Sequence, residues 1–387
     1  MAARAGMCGD YRAALGLAWL SEYGCHSVLK LLEREGPEGV WAASPRRLIE
    51  EGISPAAAAR FDERRKRFVL SEAEALLRRE DIRFLPFRAP LYPRELAQLD
   101  IPPAGLFVRG SEEALQRLVL SPRVTIVGTR KASAYGLRVT EAFAAAFATN
   151  NVVVVSGMAL GVDARAHEAA LGVEGLTVAV LGCGVDVVYP PRYVSLYAKI
   201  VRSGVVMSEL PPGSTPSRWT FPHRNRLLAA LGDAVVVTEA PRRSGALQTA
   251  AWALELGRPV WSVPGSVLTE SHKGCNLLIY DGAFPALDPC ATVEDFSSVT
   301  RMERGERRSS SRRWDAGQGH VTQGGLPLAL VGRTRRVLDL LGSDPCSVDD
   351  LVKCTGLPAR EITAGLAELE LMGRVARMGP GLYIRAP

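Results

Sequence analysis

Lysine is scarce in this chain of 387 residues. Six of its 47 basic residues are lysine (Lys30, Lys66, Lys131, Lys199, Lys273 and Lys353), which leaves 41 arginines. Aromatic residues are few as well, at 6%. Long apolar runs are missing: none reaches the ~20 residues that a membrane-spanning helix needs. The first ten residues carry Arg4 but no apolar stretch, so no secretory signal and no membrane partner are expected. The seven cysteines (Cys8, Cys25, Cys183, Cys275, Cys290, Cys346 and Cys354) include no C-x-x-C pair. That spacing argues against a zinc ribbon or a disulfide framework and fits a reduced, cytoplasmic setting. No G-x-x-x-x-G-K-[ST] string occurs, which excludes a Walker-type ATPase. Gly182-Cys183-Gly184-Val185-Asp186-Val187 begins like a dinucleotide fingerprint, but valine takes the place of the third glycine. Neither a cofactor nor a metal is expected.

What is present is an ordinary globular composition, 47% apolar and 23% charged, with a formal net charge of +6. At roughly 150 residues per domain the length suits two or three domains. The charge permits a nucleic-acid partner without demanding one, and arginine is the side chain suited to bidentate phosphate contact.

Pattern divides the chain into four regions. Residues 1–82 read as a small domain of short helices, of the SAM or helix-hairpin-helix kind, with Leu15, Ala18, Trp19, Val28, Leu29, Leu31 and Leu32 at helical spacing. Its basic run Arg60, Arg64–Arg67 reads as a solvated helix face or as a phosphate contact. Residues 83–296 open with a proline-rich connector whose last piece, Leu106–Arg109, can add a strand to the segment after it. Buried-strand runs then occur at Val124–Val127, Val152–Val155, Thr177–Leu181, Val205–Met207, Ala234–Thr238 and Pro259–Val263. Helical patterns separate them at Ala134–Ala148, Val162–Leu171, Tyr193–Ser203 and Ala246–Leu256. The alternation predicts an α/β fold with a doubly wound, Rossmann-like parallel sheet. Residues 297–327, with six arginines between Arg301 and Arg313, read as a basic flexible linker. Residues 328–387 fit a winged helix: helices over Arg333–Leu341, Val348–Cys354 and Ala359–Met372, then a hairpin from Arg374–Arg377 to Leu382–Ile384. Its third helix carries Glu361, Glu368 and Glu370, which suits a protein contact better than a DNA groove.

Ligands of an open parallel sheet gather beyond the carboxyl ends of its strands. There the chain places Gly128, Thr129, Arg130 and Lys131; Ser156 and Gly157; Arg192 after Tyr189-Pro190-Pro191; Phe221, Arg224, Asn225 and Arg226; and Ser244 with Gly245. Glycines bring backbone N–H groups close to an anion, and helix N-termini add attraction. The expectation is a phosphate track along one rim. Phe221 and Tyr189 either stack bases or anchor their loops. Asp163 and His167 share a helix face at i,i+4, but no further ligand sits at metal spacing, so a capping or packing role is favoured. No serine has a readable His–carboxylate arrangement beside it, and no catalytic residue is assigned.

Eight ordered strings carry a resemblance: V-G-T-R-K-A-S-A-Y-G (127–136), S-G-M-A-L-G-V-D-A-R-A-H (156–167), G-C-G-V-D-V-V-Y-P (182–190), S-E-L-P-P-G (208–213), F-P-H-R-N-R (221–226), S-G-A-L-Q-T-A (244–250), V-P-G (263–265) and G-C-N-L-L-I (274–279). Together they resemble the DNA-processing protein A (DprA/Smf) family, with close similarity over about 170 residues. The resemblance implies a non-enzymatic homodimer that binds single-stranded DNA and loads the RecA recombinase during natural transformation. It also implies that Arg130, Arg192, Phe221, Arg224, Asn225 and Arg226 line the site. Two positions depart from the family pattern: Leu160 stands where an arginine is common, and Thr129 where serine is usual. A rival resemblance, of S-G-A-L-Q-T-A to the turn of lysine-decarboxylase-like nucleotide-phosphate glycosidases, lacks the carboxylate that comes after the threonine there. The first acidic residue is Glu255.

Overall fold

The computed structural model describes residues 2–20, 26–303, 346–355, 358–371, 375–379 and 382–385. The chain divides into two compact units, Met1–Arg308 and Ser309–Pro387. The first unit opens with helices α1 (Ala2–Leu20), α2 (Leu32–Ala42), α3 (Pro45–Glu50), α4 (Pro55–Arg67) and α5 (Leu70–Arg79), then strands β1 (Arg83–Pro86) and β2 (Gly105–Gly110) and helix α6 (Glu112–Leu120). The βα alternation continues as β3 (Arg123–Val127), α7 (Ala134–Thr149), β4 (Val153–Ser156), α8 (Val162–Gly172), β5 (Thr177–Val180), α9 (Val194–Ser203), β6 (Val205–Ser208), α10 (Thr220–Leu231), β7 (Ala234–Val237), α11 (Gly245–Glu255), β8 (Val260–Ser262), α12 (Lys273–Tyr280), β9 (Phe284–Pro285) and α13 (Pro289–Glu303).

These nine strands form one sheet in the order β1-β2-β6-β5-β4-β3-β7-β8-β9. From β6 to β9 every pairing is parallel, while β2 joins β6 and β1 joins β2 antiparallel. The expected doubly wound sheet is therefore present, as a mixed sheet extended at one edge by an antiparallel pair. Period-two alternation buries both faces. Val152, Val154, Ala234 and Val236 pack with α7, α8 and α13 on one face, and Val153, Val155, Val235 and Val237 pack with α10 and α11 on the other. Serines begin several helices by capping: Ser54 Oγ accepts from the Ala57 N–H, Ser111 Oγ from Ala114 and Ser133 Oγ from Gly136.

Packing runs across two of the expected boundaries. The helices before residue 83 do not pack as a separate module: their apolar residues belong to the same cluster as the sheet, and Trp19 meets Phe107 edge-on at 5.9 Å. Residues 297–303, assigned to the linker, continue α13, whose Phe296 meets Phe147 of α7 edge-on at 5.4 Å and holds the two helices together. The remainder of the linker, 304–327, lies outside the described residues, as does the helix expected at 333–341.

The second unit comprises β10 (Cys346–Ser347), α14 (Val348–Thr355), α15 (Ala359–Leu371), β11 (Val375–Gly379) and β12 (Leu382–Arg385). Its strands form a sheet in the order β10-β12-β11 around Leu351, Ile362, Leu366, Leu369, Val375 and Tyr383. This is the expected helix pair followed by a hairpin wing.

Candidate nucleic-acid interface

The parallel strands run outward in chain order from β3 to β6 and then resume on the other side of β3 with β7. The loops leaving β3 and β7 therefore diverge, and a crevice opens between them. A cavity of about 470 Å³ lies there, with Gly128, Arg130 and Lys131 after β3, Phe221, Arg224 and Asn225 from α10, and Ser244 and Gly245 at the start of α11 among its walls.

The loop after β3 is held from beneath. Thr129 N–H donates to Glu239 O at 2.7 Å and Ser133 N–H to the buried Glu239 Oε2 at 2.8 Å, while Lys131 N–H reaches Thr129 Oγ1 at 3.2 Å. Gly128 is required by close approach: a Cβ there would stand 2.5 Å from Val162 Cγ2. So held, the loop projects Arg130 outward with its guanidinium 4.8 Å above the Phe221 ring. Phe221 also meets Tyr189 at 5.5 Å. Both aromatic residues are thus anchored and partly exposed at once. Across the crevice Asn225 Nδ2 donates to Gly245 O at 3.3 Å, and Ser244 Oγ caps α11 by accepting from Ala246 N–H at 3.2 Å. Arg130, Lys131, Arg218 and Arg243 all border this crevice, and none of them makes an ion pair among the described residues. Four uncompensated cations beside a helix N-terminus give the crevice a positive potential, the kind of field that attracts anions.

Several expected contacts are placed elsewhere. Ser156 is fully buried and donates to Ile126 O at 2.7 Å. Gly157 lies beneath Arg224, where a Cβ would come within 2.5 Å of the guanidinium. Arg224 forms part of the crevice floor but is only 3% exposed. It donates to Gly157 O at 2.9 Å and to Val180 O, so it fastens the β4 and β5 ends rather than presenting itself to solvent. Burial, with Arg130 nearby, lowers its pKa to about 10. Arg226 turns away from the crevice into a buried ion pair with Glu209 and lies 3.1 Å from His223 Nε2. Arg192 is exposed beside Tyr193 on a separate groove with Lys199 and Arg202.

Asp163 and His167 do not act as a pair. Asp163 Oδ2 accepts from Ala159 N–H at 3.3 Å, and burial raises its pKa against the pull of Arg224. His167 Nδ1 shares a 2.7 Å hydrogen bond with Thr177 Oγ1, and burial lowers its pKa to about 3, which keeps the ring neutral. Among the described residues Asp163 is the only carboxylate in the crevice walls, and Glu255 sits at the far end of α11.

Residues 83–297, more than half of the chain, match the family model of DNA recombination-mediator protein A, and residues 326–381 match that of the DprA winged helix domain. The chain belongs to the DprA family. It is 34% identical to the Smf protein of Synechocystis over 77% of this chain and 79% of that one. To the DprA of Streptococcus pneumoniae it is 41% identical over 50% of this chain and 66% of that one. The solved S. pneumoniae DprA structure superposes with a TM-score of 0.63 at 33% identity, covering 74% of this chain and 98% of that chain. DprA from Helicobacter pylori, whose structure was described for its single-stranded DNA binding mode, superposes at 0.51 with 29% identity, covering 56% and 96%.

In this DprA-family chain Arg218 and Trp219 were not among the residues expected at the site, whereas Arg243 was expected at the end of the strand that precedes Ser244. Trp219 is 71% exposed, and the Arg218 guanidinium lies 4.8 Å from its ring. The available signal was an Arg-Trp pair in a proline- and serine-rich loop directly before F-P-H-R-N-R. No helix among the described residues is long and apolar enough to cross a membrane.

Proposed function

We propose that this chain binds single-stranded DNA with little regard to sequence. Backbone phosphates lie along Arg130, Lys131, Arg218 and Arg243, and bases stack on the Tyr189–Phe221 face. The observation that carries the reading is Arg130: it is held over an aromatic ring at the mouth of the switch-point crevice, with no carboxylate partner. Cationic grooves lined with aromatic faces suit unpaired strands, whose bases offer a π-face whatever their identity. Membership of the DprA family supports the wider role, in which the cytoplasmic protein protects the incoming strand and loads the RecA recombinase onto it during natural transformation. A homodimer fits the exposed Tyr280 and Leu287 beside Leu277 and Phe284 at the β9 end of the sheet, an apolar set that a second copy would cover.

The reading involves no catalysis. A glycosidase would need a free carboxylate at the crevice, and Asp163 is buried against a backbone N–H. The test is fluorescence anisotropy of labelled single strands at several salt concentrations. Arg130→Ala should weaken binding about tenfold and make the slope of log K against log[salt] shallower by about 0.7, the share of one phosphate contact on a single strand. Unchanged affinity and slope would move the DNA site away from this loop.

A further inference from the structure

A buried acid–imidazole pair lies directly behind the loop that carries Arg130. Glu239 follows the end of β7 by two residues and is fully buried, and His272, which directly precedes α12, is 6% exposed. His272 Nε2 stands 3.9 Å from Glu239 Oε1. Among the described residues neither Glu239 Oε1 nor His272 Nδ1 has a hydrogen-bond partner. The surrounding chain makes room for both side chains. A Cβ at Gly136, in the first turn of α7, would collide with Glu239 Oε2, and one at Gly265 would collide with the His272 ring. Tyr135 closes the far side: it meets the His272 ring edge-on at 5.4 Å, and its hydroxyl donates to Pro264 O at 3.3 Å.

A buried polar atom without a partner costs stability, so its retention calls for a gain elsewhere. The gain lies at the crevice. Glu239 holds both ends of the turn around Arg130, through its backbone oxygen to Thr129 N–H and through Oε2 to Ser133 N–H. Arg130 therefore rests over the Phe221 ring instead of sweeping through solvent, and a contact formed in advance loses less freedom on binding. We propose that Glu239, backed by His272, is the positioning residue for Arg130. The proposal rests on the reading of the crevice as a single-strand site and deepens it: part of the affinity for a polyanion resides in a buried anion. Charge and position then predict opposite signs. By charge alone, removing a carboxylate near a phosphate track raises affinity, whereas by position it lowers affinity.

The test is anisotropy of labelled oligo-dT at several salt concentrations, with the full chain as wild type, Arg130→Ala, Glu239→Ala, Glu239→Gln and the double variant Glu239→Ala/Arg130→Ala. Thermal unfolding verifies that each is folded. Glu239→Ala should weaken binding about tenfold, as Arg130→Ala does, and make the salt slope shallower by about 0.7. The double variant should bind no more weakly than either single one, because both remove the same contact. Glu239→Gln, whose amide oxygen still accepts from Ser133 N–H, should bind as the wild type does. Should Glu239→Ala not fold, Gly136→Ala takes its place, since its Cβ displaces the carboxylate while alanine suits the helix; the same tenfold loss is expected. Unchanged or raised affinity in the folded variant overturns the proposal, as do losses that multiply to about a hundredfold in the double variant. In both cases the effect of Arg130→Ala keeps the crevice reading intact. If Arg130→Ala itself changes nothing, the crevice reading fails and this proposal falls with it.

Discussion

Arg123 and Arg130 flank a single strand, and the chain treats them in opposite ways. Arg123, at the amino end of β3, is 2% exposed and grips both oxygens of Glu95 at 2.5 and 3.1 Å, with Asp233 at 3.5 Å. Arg130, just past the carboxyl end, is exposed, lies over an aromatic ring and has no acidic partner. The side chain is the same and only the end of the sheet differs. At the amino end the guanidinium ties the start of β3 to the turn Arg94–Gln98 and to the residue preceding β7. At the carboxyl end it is left for a ligand. Position in the topology, rather than residue type, separates structural from binding arginines here.

That contrast can be broken most forcefully through Glu95. Glu95→Ala leaves Arg123 buried without its bidentate partner and should cost about 3 kcal/mol in urea unfolding. Arg130→Ala, at the other end, should stay within about 0.5 kcal/mol of the wild type. Equal losses would erase the distinction.

A second, smaller effect is on pH. The His167 pKa is lowered from 6.5 to about 3 by burial, so the unfolded chain takes up a proton that the folded chain refuses. Stability should fall as pH drops below about 6.5 and continue to fall toward 3. His167→Gln should flatten that part of a series of urea midpoints. Glu95 acts in a lower window. Burial pushes its pKa up, but the hydrogen bond and charge of Arg123 outweigh burial and hold it below the ordinary value. Its contribution is therefore present above the ordinary carboxylate range and is lost as pH falls through the lowered value.

The smallest effect concerns Arg192, which an Arg-rich rim would have grouped with Arg130. Arg192→Ala should change single-strand affinity by less than about twofold, within the range of an ordinary surface substitution. A loss comparable to that of Arg130→Ala would extend the binding track onto the groove of Lys199 and Arg202.

The parallel strands are legible in the sequence because valine runs such as Val152–Val155 and Val235–Val237 alternate with helical spacing at a regular interval. The edge strand β1 is harder to see, since Arg83–Pro86 lies in a proline-rich stretch. Pro86 is tolerated at its end, on the outermost strand of the sheet, where a missing N–H is harmless. Among the site residues, Gly128, Arg130, Phe221, Asn225, Ser244 and Gly245 meet at the crevice as expected. The burial of Arg224 has a local cause: it precedes Leu228 by four residues and Leu231 by seven, which puts it on the core-facing side of α10. Arg226 has no such signal, for its partner Glu209 lies 17 residues back in another loop.

Tyr11 against Phe84 at 5.8 Å, Phe84 against Phe107 at 5.1 Å and Trp19 against Phe107 form a chain of rings from α1 through β1 to β2. The family model begins at residue 83, in the middle of this chain of rings. A cut made at that seam would strip one side from Phe84 and Phe107 and leave a greasy face on the edge of the sheet, inviting aggregation. The helices before residue 83 thus act as the sheet's lid, and a trimmed version of this protein keeps its good behaviour only if the lid stays on.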